Sequence, residues 1–132
     1  MSSFLLEIVT PERKVYAEDV NMIVVKGSEG EMGILPNHIP MVTPLKIAPV
    51  SIKKGNAQET IAVGGGFLEI RKDKVVILAE SAELPGDIDI ARAESAKQRA
   101  EQRLSGKKDD YDQLRAELAL QRALNRLAVK QG

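Results

Sequence analysis

Six arginines are the residues whose spacing could do chemistry: Arg92, Arg99 and Arg103, then Arg115, Arg122 and Arg126. Within each set the intervals are seven and then four residues, so on a helix each set lies along one face. Guanidinium groups are planar, permanently charged and rich in donors, which suits them to carboxylates and phosphates. Two such rows brought side by side repel unless they point apart, pair with carboxylates or share an anion. The ordinary reading is a solvated face, relieved here by Glu94, Glu101 and Glu117. The bolder reading is a polyanion site.

Other candidates are weaker. His38 is the only histidine and sits between prolines 36 and 40, so a structural role in a turn is expected. Gly64-Gly65-Gly66 could suggest a phosphate cradle, but that motif needs spaced glycines followed by Lys and Ser or Thr opening a helix. Here the triplet precedes a strand-like run, which favours a bulge or a close backbone approach. Glu29 with Glu31, and Glu80 with Glu83, read as solvated charges near turns and strand ends. No nucleophile stands with a base, and catalysis is not expected.

The elements that must position the arginines follow from a change of composition near residue 85. All six prolines and eight of the ten glycines lie at or before Gly86, which marks the earlier part as strands and turns. Beyond it Ala, Leu, Arg, Glu and Gln dominate, which favours helix. The boundary falls at Leu84-Pro85-Gly86, dividing residues 1–84 from residues 85–132.

In the first part, runs at Phe4 to Val9, Asn21 to Lys26, Leu45 to Lys54, Glu59 to Val63, Phe67 to Arg71 and Lys74 to Ala79 read as short strands. With no helix between them they indicate an antiparallel sandwich or barrel. Runs that are apolar on both faces favour two sheets packed face to face.

In the second part, Ala93, Ala96, Ala100 and Leu104 recur at helical spacing, and Asp87 is placed to cap that helix. Ser105-Gly106-Lys107-Lys108-Asp109 breaks the pattern. A second helix carries Ala116, Leu120, Ala123 and Leu127 on one stripe, with Leu114, Leu118 and Leu124 beside it. So short a connection implies an antiparallel two-helix hairpin. Its alanine-lined seam buries little area, and at roughly 25 cal/mol per Å² it holds the helices weakly enough to open for a competing surface.

Composition narrows the function classes. The chain has 132 residues, enough for one domain or a small domain with an appendage. With only 3% aromatic residues the core must be aliphatic, and stacking platforms for nucleic acid are missing. Formal net charge is zero, so no global field recruits nucleic acid. There are no cysteines, which excludes disulfides and thiolate metal sites. The N-terminus is unlike a signal peptide, and apolar runs such as Met22-Ile23-Val24-Val25 are far short of the ~20 residues that span a bilayer. Membrane association, if any, must come through partners.

Three segments carry a family resemblance. They are Gly30-Glu31-Met32-Gly33-Ile34-Leu35-Pro36-Asn37-His38-Ile39-Pro40-Met41-Val42-Thr43-Pro44-Leu45, then Gly65-Gly66-Phe67-Leu68-Glu69-Ile70 with Val76-Ile77-Leu78-Ala79-Glu80, then Arg115 to Leu127. In these the chain resembles the epsilon subunits of bacterial F-type ATP synthases, over essentially its whole length. The resemblance implies a sandwich of about ten strands, residues 1–84, that binds the gamma subunit and the c-ring. It implies a mobile regulatory hairpin, residues 85–132, that extends toward the alpha and beta subunits and inhibits ATP hydrolysis. It implies a non-catalytic rotor subunit of a proton-translocating enzyme, peripheral on the cytoplasmic side of the cell membrane.

Ile88-Asp89-x-x-Arg92-Ala93 is similar to the motif of those epsilon subunits that bind ATP, with or without magnesium, in the folded hairpin. On that resemblance the ATP-binding residues are Glu83, Ile88, Asp89, Arg92, Ala93, Arg99, Arg122 and Arg126. Asp89 or Glu83 would accept from the adenine amine, Ile88 and Ala93 would flank the ring, and the arginines would meet the triphosphate. Arg103 and Arg115 remain as partner contacts. The competing expectation is a purely structural and inhibitory subunit with no bound nucleotide.

Overall fold

The computed structural model describes residues 2–106 and 109–131. The β-strands are β1 (Phe4–Val9), β2 (Lys14–Val20), β3 (Met22–Gly27), β4 (Gly30–Ile34), β5 (Met41–Lys54), β6 (Ala57–Ile70), β7 (Lys74–Ala79) and β8 (Ala82–Glu83). They are followed by two helices, α1 (Ile90–Ser105) and α2 (Asp110–Gln131). Hydrogen bonds join the strands in the order β2-β1-β7-β6-β5-β3-β4, with β8 on β6. Side chains from both ends of that order meet in one aliphatic core: Leu6 and Ile8 of β1, Ile23 of β3, Ile34 of β4, Ile52 of β5, Leu68 of β6 and Ile77 of β7 are all fully buried. Tyr16 is the aromatic exception.

Among the described residues the strands number eight, against about ten expected. Glu59–Val63 and Phe67–Arg71, which read as separate runs, belong to one 14-residue strand, β6, that pairs with β5 from Met41↔Ile70 to Lys54↔Ala57. The glycine triplet deforms this strand without ending it. Gly65 and Gly66 take φ of 93° and 137°, a region open to glycine. A Cβ at Gly66 would lie 2.1 Å from the Leu78 carbonyl oxygen, and one at Gly64 would lie 2.1 Å from Ser81 Oγ. Close backbone approach is therefore what the triplet provides.

One pairing departs from antiparallel. β1 runs parallel to β7, from Leu5↔Lys74 to Val9↔Leu78. No short turn links these two strands, so nothing local constrains their sense.

The hairpin begins later than its sequence suggests. Pro85–Asp87 form a single 3-10 turn, and Asp87 is not the cap. Asp89 is: its Oδ1 accepts from the Arg92 amide at 3.1 Å, satisfying an otherwise unpaired donor of the first turn. Ile88 is the physical reason. It is buried against Ala62 and Val129 in an extended conformation, which holds the chain out of helix for two residues past the turn. At the other end, the expected break spans Lys107 and Lys108, which lie outside the described residues. Asp109 Oδ1 caps α2 by accepting from the Asp112 amide at 2.8 Å.

α1 packs along α2, and α2 lies on β5 and β6. The seam between the helices is alanine, with Ala93, Ala100, Ala116 and Ala123 all at most 3% exposed. On its other side α2 sends buried Asn125, Leu127 and Val129 inward, while Leu114, Leu118 and Leu124 stay exposed. Docking adds polar ties: Asn125 Nδ2 donates to the Val63 carbonyl, and Lys130 Nζ donates to the Pro85 carbonyl at 2.9 Å.

Candidate functional site

A cleft of about 540 Å³ opens between α1, the end of the sandwich and the turn that joins β1 to β2. Its walls hold Glu83, Asp89, Arg92, Ala93, Arg99 and Arg126, six of the eight residues singled out above. Three different elements supply them. Glu83 ends β8, Asp89 caps α1, and Arg92 and Arg99 follow it at one and three turns along the same helix. Arg126 reaches in from α2, where its Nε donates to Glu83 Oε1. That pair fixes α2 to the last residue of the sandwich. Both side chains are 29% exposed, so water screens the pair and its worth is about 1 kcal/mol or less.

The remaining two residues lie elsewhere. Ile88 is 4% exposed and packs in the small cluster with Ala62 and Val129, away from the cleft. Arg122 is not on the cleft wall but adjoins it, in a small recess that it shares with Gly64, Ser81, Asn125 and the cleft residues Glu83 and Arg126. The apolar surface within the cleft comes instead from Ala93, Ala96, Ala82 and Val15. Arg103 and Arg115 are exposed and outside the cleft, with the Arg115 guanidinium 5.6 Å from the Tyr111 ring centroid.

Residues not foreseen from the sequence also line the cleft. Thr10, Glu12 and Arg13 come from the β1–β2 turn. Thr10 is buried; its hydroxyl donates to the Arg13 carbonyl and accepts from the Arg13 amide, at 3.2 and 3.3 Å. These bonds shape the turn and set Arg13 beside the hairpin. Thr10-Pro11 could be read only as the stop of a strand, since nothing local says which helix stands opposite.

The guanidinium groups of the cleft can meet an anion through charge-assisted hydrogen bonds, while its carboxylates are partly engaged. Asp89 is engaged at the helix start and Glu83 by Arg126. Among the described residues no group of three or more acidic or histidine side chains could hold a metal ion. His38 is remote from the cleft, its Nδ1 lying 2.9 Å from the Ile39 carbonyl oxygen within its own turn. Among the described residues no helix is long and apolar enough to cross a membrane.

Fold and site together define a class: a β-sandwich with a docked helical hairpin and a charged cleft where the two meet. Residues 3–85 match the family described as ATP synthase, Delta/Epsilon chain, beta-sandwich domain. Residues 87–131 match its companion, ATP synthase, Delta/Epsilon chain, long alpha-helix domain. The chain belongs to the ATP synthase delta/epsilon chain family. It is 56% identical over 113 residues to an ATP synthase epsilon chain of Brevibacillus brevis, covering 85% of this chain and 86% of that one. It is 58% identical over 110 residues to one from Alkalihalophilus pseudofirmus, covering 83% of each.

In fold it is similar to a chain of the Euglena gracilis mitochondrial ATP synthase, solved with its F1 and c-ring, with a TM-score of 0.83 at 21% identity. That likeness covers all of this chain and 83% of the other. A chain from the Tetrahymena thermophila central stalk and c-ring gives 0.66 at 14% identity, covering 98% of this chain and 97% of its own. The kinship that the three segments imply is thus established, and with it a non-catalytic place in the ATP synthase complex.

Proposed function

We propose that this chain is a rotor subunit of the ATP synthase central stalk whose hairpin reports ATP. In this reading the sandwich binds the gamma subunit and the c-ring, which holds the chain peripherally on the cytoplasmic side of the cell membrane. The hairpin folds on the sandwich when ATP is bound. When ATP is scarce it extends toward the alpha and beta subunits and inhibits hydrolysis, while the complex translocates protons.

The observation that carries the proposal is the convergence of Arg92, Arg99 and Arg126 with Glu83 and Asp89 on one cleft between hairpin and sandwich. Guanidinium groups meet phosphates through charge-assisted hydrogen bonds, and a carboxylate accepts from the adenine amine. A ligand seated there touches both parts, so it stabilises only the docked hairpin. The gain is RT ln(1 + [L]/Kd), about 2.7 kcal/mol at a hundredfold excess over Kd. The weak alanine seam and the few polar ties make the docked state one that such a gain can decide. Exposed apolar residues support partner binding on both parts: Leu35, Ile39 and Phe67 on the sandwich, Leu114 and Leu124 on α2.

Calorimetry with ATP tests the sensor. Binding is expected for the natural chain and is weakened in Arg92→Ala. Asp89→Asn is the sharper variant at the helix start, because asparagine keeps the cap and removes the charge. No heat of binding at millimolar ATP would leave a stalk subunit without nucleotide sensing. The Arg126–Glu83 pair is the observation favouring that second reading, since it satisfies both groups without a ligand.

A further inference from the structure

The cleft has a wall that the hairpin does not supply. Arg13 enters it from the β1–β2 turn of the sandwich, opposite Arg92 and Arg99 of α1. Among the described residues none of these three guanidinium groups is in an ion pair, while Arg126 has Glu83. Three unpaired cations from two separate parts of the fold therefore face one space. Glu12, Glu83, Asp87 and Asp89 line the same cleft and offset its charge. None of them is in an ion pair with these three arginines, so an entering polyanion finds three guanidinium groups free to meet it.

We propose that Arg13 is a phosphate-binding residue of the cleft and a second sandwich contact, beside Glu83, through which a nucleoside triphosphate ties hairpin to sandwich. The inference rests on the nucleotide reading above and extends it. A ligand held by the hairpin alone would favour a folded hairpin but not its docking. One gripped by Arg13 on one side and by Arg92 and Arg99 on the other favours the docked arrangement itself. The shape of the turn suits this role. The buried Thr10 hydroxyl bonds both the amide and the carbonyl of Arg13, leaving the side chain as the free part.

The test compares the natural chain, Arg13→Ala and Arg13→Lys by calorimetry with ATP and with adenosine. Thermal unfolding of the unliganded proteins runs alongside. Loss of one charge-assisted contact is expected to raise the Kd for ATP about tenfold in Arg13→Ala, with partial recovery in Arg13→Lys and adenosine binding unchanged. Without ATP the alanine variant is expected to melt with the natural chain, since the Arg13 side chain is in no ion pair that the change would remove. Equal ATP affinity in Arg13→Ala and the natural chain would overturn the role of Arg13 and leave the nucleotide site standing. Parallel loss of ATP and adenosine binding would assign the effect to the shape of the turn, again overturning it. If the natural chain binds no ATP, both the inference and the reading beneath it fall.

Discussion

Asn125 of α2 and Val63 of β6 are joined by a buried hydrogen bond, the Asn125 amide donating to the Val63 carbonyl at 3.0 Å. Val63 pairs across β6 with Ala48 and Ala82, and Asn125 is 7% exposed. The bond therefore sets where α2 rests on the sheet. Asn125→Leu removes this tie, at a cost of about 1 kcal/mol, partly offset because Asn125 Oδ1 is itself buried without a partner. Hydrogen exchange should quicken in α1 and α2 while β5 and β6 keep their protection. Uniform loss of protection across both parts would show that the bond supports the whole fold rather than the docking.

The alanine seam sets how closely the helices approach. Ala100 is 1% exposed, so Ala100→Leu overpacks the contact with α2 and costs about 1–3 kcal/mol. Circular dichroism through a denaturant titration is expected to show the helical signal lost before the strand signal, an order that a single concerted transition would contradict.

Glu7 responds to acid. It lies on β1, 7% exposed, where Lys14 holds its Oε2 and Lys74 Nζ holds its Oε1 at 2.7 Å. The hydrogen bonds from Lys14 and then Lys74 pull its carboxyl from 4.5 down to about 2, against the opposing effect of burial. The folded value is the lower one, so the contribution is complete above pH 4.5 and is lost as pH falls toward 2. Glu7→Gln should flatten the acid limb of the stability profile between those values. Identical limbs for the two proteins would remove Glu7 as the cause.

Gly66 admits no side chain. Its φ is 137°, and an added Cβ would lie 2.1 Å from the Leu78 carbonyl oxygen and 2.9 Å from Ala79 Cα. The clash is with backbone, so neither neighbour can rotate away. Gly66→Ala is expected to lose at least about 3 kcal/mol, read as a drop in the denaturation midpoint or in soluble yield. Gly86→Ala, where nothing lies within 4 Å, serves as its neutral control.

Local chemistry made much of the fold legible before any tertiary contact was known. Glycine and proline punctuation marked the strand-rich part, and alanine at helical spacing marked the seam, because these patterns depend only on neighbours along the chain. The spacing of Arg92 and Arg99 likewise put both on one face of α1, and both line the cleft. What local pattern missed were consequences of distance. A strand that bends at Gly64–Gly66 looks like two strands, because its continuity comes from pairing with β5. The cap moved from Asp87 to Asp89 because Ile88 finds Ala62 and Val129 from other parts of the chain.

The sequence by itself determined that this chain would make an aliphatic sandwich and a weakly seamed hairpin carrying rows of arginine. Periodicity, turn chemistry and charge are written residue by residue. Only the tertiary structure decided which arginines share a space. It brought Arg13, 79 residues before Arg92 in sequence, to the opposite wall of one cleft, and it set Arg122 outside. Such proximity follows from how α2 seats on β5 and β6, and no spacing along a single helix encodes it.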